Sequence, residues 1–156
     1  MRAHAFSLVE LIVVISVIAI LAAMVAAKYV GAQQDASVAA AAEDLKAIEL
    51  AVGMYRTQEG HWPRDVNRTQ PVPELDNYFK NMENPFGKTC PIGGAYDWEG
   101  PPNWSPAQVS IRKNGQNVWT DADALALDQH FDDGDLSTGR FRRASGDRLA
   151  VDLEAN

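Results

Sequence analysis

Phe6–Ala27 reads FSLVELIVVISVIAILAAMVAA. From Leu11 to Ala27 seventeen residues pass without a charge, and Glu10 stands at the upstream edge of that run. As a helix, the run spans roughly 26 Å at about 1.5 Å per residue, slightly short of a hydrocarbon core. Phe6–Val9 complete the span and bring Glu10 inside it. Arg2 is the basic residue ahead of the run, so the N-terminus is expected to stay cytoplasmic.

Three processing routes fit such a segment. A secretory signal peptide would be cut after its apolar region, at Ala22-Ala23-Met24 or Val25-Ala26-Ala27. A plain signal anchor would stay uncut. The third route cuts before the apolar run, at Ala5–Phe6. Glu10 separates them. A carboxylate inside a membrane span costs roughly 2.5–3.5 kcal/mol near the centre and less near the interface. A signal peptide or simple anchor has no use for it, so Glu10 reads as a functional acid with a partner; the plainer alternative is a solvated group at headgroup level.

Phe6–Met24 resembles the N-terminus of type IV prepilins and of type II secretion pseudopilins: a short basic leader, a small residue, Phe, Glu four positions on, then about twenty apolar residues. The resemblance covers Ala5 to about Ala27. It departs at Ala5, where the family usually has Gly. It implies that a prepilin peptidase cleaves Ala5–Phe6 and methylates the new amine of Phe6. It also implies that Glu10 pairs with the terminal ammonium of a neighbouring subunit in a homo- or hetero-filament. An ion pair is far cheaper in low dielectric than either charge alone, so assembly would be tied to one register. Ala19, Ala22, Ala23, Ala26 and Ala27 offer small faces for close helix packing.

The helix is expected to continue. Val38, Leu45 and Val52 repeat every seven residues, with Ala41, Ile48 and Tyr55 in step; Glu43, Asp44, Lys46, Glu49 and Arg56 lie off this stripe. Gly60 and Pro63 mark its end. A helix from Phe6 to Glu59 would measure about 80 Å. The expected organisation is a leader at 1–5, a transmembrane and assembly helix at 6–28, its continuation at 29–59 and a globular head at 60–156.

The head reads as short elements. A helical turn is expected around Leu75–Met82, strands over Ala95–Trp98 and around Val109 and Ile111, and a helix over Asp121–Phe131 started by Thr120 and Asp123. Gly139–Ala144 and Arg148–Leu153 form a closing hairpin. The expected fold class is α+β and pilin-like, a long N-terminal helix packed on a small antiparallel sheet. Two short stretches, MYRTQEGHWP and Asn84-Pro85-Phe86-Gly87, also resemble pseudopilin turns.

The whole chain has 156 residues, 46% hydrophobic and 22% charged, a globular composition. From Tyr29 onward it carries 12 basic and 20 acidic residues. That balance offers no patch for nucleic acid. Cys90 is the single cysteine, so no disulfide forms within the chain, and it reads as a small buried apolar residue.

His4, His61 and His130 lack metal-ligand spacing. No nucleophile elbow frames a Ser and no phosphate loop is present, so no catalytic residue is expected. Asp132, Asp133 and Asp135 form the densest oxygen cluster, a calcium candidate set against an ordinary solvated acidic turn; it does not fit an EF-hand. Arg140, Arg142 and Arg143 are expected to pair with that turn or to form a subunit contact. Trp62, Trp98, Trp104 and Trp119 read as core residues, or else as the sugar-binding surface of a single-pass membrane-anchored binding module. A secreted enzyme freed near Ala27 is a third class.

The resemblance therefore implies a non-catalytic subunit of a type II secretion pseudopilus or type IV pilus-like filament. Its head would lie outside the cytoplasm. Its partners would be other pilin-like subunits, the prepilin peptidase, and an inner-membrane assembly platform driven by a cytoplasmic ATPase.

Overall fold

Val38, Ala41, Leu45, Ile48, Val52 and Tyr55 all become buried, which makes the seven-residue stripe the core-facing side of one helix. A computed structural model of the chain describes residues 7–68, 70–80, 82–103, 106–116 and 118–153. In it, helix α1 runs Leu8–Glu59, through Gly31 and Gly53. Gly60 ends it: its N–H donates to the Arg56 carbonyl at 2.9 Å and its φ is 76°.

The chain divides into two compact units, Met1–Ala36 and Ser37–Asn156. The division falls just ahead of Val38, where the buried stripe begins. The second unit therefore takes in the last part of α1 together with the head.

Within that unit four strands form one antiparallel sheet: β1 (Ala95–Glu99), β2 (Gln108–Arg112), β3 (Phe141–Ser145) and β4 (Arg148–Asp152), in the order β1-β2-β4-β3. Helix α2 (Asp121–Phe131) lies between β2 and β3 in sequence. Register puts Tyr96 beside Ile111 and Leu149, and Trp98 beside Val109, Val151 and Phe141. These residues join the α1 stripe and α2's Ala124 and Leu127 in one core. Tyr96 also donates its hydroxyl to Asp44 of α1 at 2.9 Å.

The opposite face of the sheet is ionic. Glu99, 1% exposed, lies between Arg112 and Arg148, and Arg148 reaches both of its oxygens at 2.7 and 2.9 Å. Asp97 accepts from Arg112 at 2.6 Å and Asp152 from Arg142 at 2.8 Å. The carboxylates of this face are thus each compensated by an arginine on the adjacent strand or the next but one.

One local expectation is corrected. The helical turn expected over Leu75–Met82 runs Pro73–Tyr78 as a 3-10 helix, because Pro73 supplies a preset φ for the first turn. The capped helix Asp121–Phe131 and the closing hairpin lie where the sequence placed them.

Candidate functional site

Ser7 and Glu10 build the N-terminal site. The Ser7 carbonyl accepts the first α1 bond, from Leu11 N–H at 3.2 Å. Glu10 turns back, and its Oε2 accepts from the Ser7 amide at 2.9 Å. This is the Glu half of a capping box, in which a carboxylate three residues in satisfies an amide that the helix cannot. The carboxylate also lies at the positive end of the helix. The Ser-x-x-Glu pattern was readable in the sequence, beside the more conspicuous apolar run. Ala5 and Phe6, the expected cleavage residues, lie outside the described residues, as does His4.

Beyond Glu10 the helix is bare on every side. Large apolar residues from Leu8 to Val25 are each 47–73% exposed. Ser16 returns its hydroxyl to the Ile12 carbonyl at 2.7 Å, so its polar group is satisfied within the helix. This stretch is long and apolar enough to cross a membrane, and none of it is buried within the chain. An apolar surface of this extent needs lipid or other helices around it.

A second site forms at the end of α2. Thr120 caps the helix start with the capping box expected from Thr120 and Asp123. Ala124, Leu127 and Asp128 are the buried residues of α2, so a carboxylate sits on its apolar face. Asp128 is 0% exposed, and neither of its oxygens has a hydrogen-bond partner among the described residues. Burial, and then repulsion from Asp133, Asp132 and Asp135, push its carboxyl up to about 6.

Oxygens of Asp128, Asp132 and Asp133 lie within 4.8 Å of one another. Asp132 Oδ2 accepts from the backbone N–H of Arg140, and from that of Phe141 at 3.1 Å. Asp133 accepts from Asp135 N–H at 2.9 Å and from the Thr138 hydroxyl at 2.8 Å. Of the acidic trio expected from sequence, Asp132 and Asp133 come together. Asp135 instead turns to Ser137, whose N–H and hydroxyl hold its carboxyl below the usual range. The helical spacing Ala124, Leu127, Asp128, Phe131 was the sequence signal for Asp128.

The arginine expectation is corrected. The guanidinium groups of Arg140, Arg142 and Arg143 pair with Glu49, Asp152 and Asp121, not with the acidic turn. Arg142 and Arg143 are consecutive on β3 and must point to opposite faces.

The remaining candidates fall mostly into the core. Trp98 and Trp119 are buried, the former donating Nε1–H to the Pro63 carbonyl at 3.1 Å. Lys113 and Arg143 cover Trp119, and Arg56 covers the half-buried Trp62. Trp104 lies outside the described residues. The tryptophans described thus form no exposed aromatic platform. Cys90 is buried, and burial pushes its thiol up to about 11, which leaves it unreactive. His61 and His130 are exposed.

Residues 1–26 match the prokaryotic N-terminal methylation motif. The fold is similar to that of the major type IV pilin PilA1 from Clostridium difficile, with a TM-score of 0.55 at 17% identity, over 77% of this chain and 96% of that one. The fold is type IV pilin-like. No curated protein matches it at a significant level. The motif and the fold meet on α1, which bears the methylation motif at one end and the pilin-like sheet's packing partner at the other.

Proposed function

We propose that this pilin-like chain is a structural subunit of a filament, a type II secretion pseudopilus or type IV pilus-like fibre. A prepilin peptidase cleaves Ala5–Phe6 on the cytoplasmic side and methylates the Phe6 amine. The mature subunit waits in the inner membrane, held by the apolar part of α1, with its head outside the cytoplasm. An assembly platform then moves it into the growing filament beside other pilin-like subunits.

The observation that carries this reading is a helix exposing 47–73% of each large apolar side chain between Leu8 and Val25, with a single carboxylate at its start. Lipid satisfies the apolar side chains before assembly, and neighbouring α1 helices satisfy them afterwards. Glu10 holds its own Ser7 amide in the isolated chain. A neighbour's Phe6 ammonium offers it a full opposite charge, a stronger partner in a low-dielectric bundle. One favoured axial register follows.

Intact mass of the protein from its native membranes tests the proposal. A chain that begins at Phe6 and carries one extra methyl group supports it. A chain beginning at Met1 makes it a plain anchor, and one beginning near Lys28 makes it a secreted soluble protein; either result removes the filament reading. Fibres extending from the cell surface would identify a pilus, and fibres confined to the envelope a secretion pseudopilus.

A further inference from the structure

In the second unit, among the described residues, four large apolar side chains are exposed: Leu50 at 65%, Met82 at 36%, Val118 at 42% and Leu125 at 41%. None of them belongs to the core. They fall into two patches. Leu50 and Met82 line one groove of about 500 Å³, with Ala47 and Met54 of α1 on one wall and Phe79 and Lys80 on the other. Val118 lies just ahead of α2, and Leu125 projects from the exposed side of that helix, a turn from Ala122 and from Gln129. A single exposed leucine is ordinary, but a groove and a ridge that each gather two such residues are docking surfaces.

Charge marks the two patches oppositely. Lys46, one turn before Leu50, and Lys80, on the far wall of the groove, make no ion pair among the described residues. At the ridge, Asp132 and Asp133 come two turns after Leu125 and are exposed. They accept from N–H and hydroxyl groups, and neither is paired with a cation among the described residues.

We infer that the head is self-complementary: the α2 ridge of one subunit, led by Leu125, docks in the Leu50–Met82 groove of a second copy, with Asp132 and Asp133 set against Lys46 and Lys80 of that copy. The inference rests on the filament reading above and names the neighbour within it as the same chain. Contact between two different patches is heterologous, so it continues from copy to copy instead of closing on itself, as a fibre requires. A groove against a groove would bring lysines together, and a ridge against a ridge would bring aspartates together; both pairings are penalised. A different pilin-like chain would have to supply the missing half of each pair, whereas this head carries both halves.

The test cross-links sheared fibres of the full chain with a short bismaleimide. Cys90 is buried and unreactive, so introduced cysteines react alone. Leu50→Cys and Leu125→Cys in one chain should give a ladder of dimers, trimers and longer products. Either cysteine alone should leave monomers in the same fibres. Adding Lys46→Glu and Lys80→Glu to the double-cysteine chain should cut the laddered share of total protein roughly tenfold, at an unchanged Tm that separates lost docking from lost folding. The inference is overturned, with the filament reading intact, if the double variant forms fibres without a ladder. It is equally overturned if Leu50→Cys alone dimerises, or if the glutamates leave the ladder unchanged. Absence of fibres from the wild type overturns the filament reading, and the inference falls with it.

Discussion

Gly139 shows how narrowly a single residue can be constrained here. Its φ is 74°, and a Cβ at that position would run into Asp132 Oδ2. Gly139→Ala should therefore destabilise the head by about 1–3 kcal/mol, read as a lower urea midpoint at unchanged m. Asp128 behaves differently because its difficulty is charge, not shape. Its folded carboxyl is raised to about 6 from 3.8, so its contribution to stability is full below about pH 3.8 and is lost as pH rises through about 6. With cations chelated, the Tm of Asp128→Asn should pull away from that of the wild type as pH rises from about 4 to 6, then run parallel. A constant gap across that range would mean that the buried carboxylate is already neutralised.

Elements respond according to what begins them and what they cover. Thr120→Ala removes the hydroxyl half of the α2 capping box, leaving Asp123 bonded to the backbone N–H of residue 120, and should cost about 1 kcal/mol, with the loss of protection concentrated in amides of the first α2 turn by hydrogen exchange. On α1, Ile48 is fully buried in the middle of the stripe. Ile48→Ala should cost about 2–5 kcal/mol, while Leu50→Ala, at a position 65% exposed, should change stability by less than about 1 kcal/mol. Equal costs at the two positions would mean that the stripe is not the face α1 buries.

For the molecule as a whole, the proposed assembly turns on α1 carrying opposite demands along its length. Its large apolar residues from Leu8 to Val30 are exposed, and from Val38 the stripe of Val38, Ala41, Leu45, Ile48, Val52 and Tyr55 is buried in the head. Glu10→Ala should leave membrane insertion intact, since it makes the span more apolar, yet remove the subunit from sheared filament fractions. Normal incorporation of that variant would refute the Glu10 pairing. Ala5→Gly should be processed at least as fast as wild type in a pulse-chase, because the smaller residue relaxes the one departure from the usual motif.

Local regularities already announced much of this protein. The seventeen uncharged residues after Glu10, the seven-residue repeat from Val38 to Tyr55, and the Thr120 cap each depend on neighbours within a turn or two, so the sequence displays them directly. The N-terminal motif was legible for the same reason. Asp128 was legible only by spacing: its place on the Ala124–Leu127 face is periodicity, but its burial without a donor depends on how the helix packs. The partners of Arg140 and Arg143 were not legible, since Glu49 lies 91 residues and Asp121 22 residues away in sequence. Ion pairs at such separations follow from which surfaces the core brings together. Sequence determined which stretch of α1 is long and apolar enough to cross a membrane and which face of its later part is apolar. Only tertiary structure decided where its charges are paired, and that Asp128 is buried with no hydrogen-bond partner among the described residues, because burial and long-range pairing belong to the packed molecule and to no single segment of it.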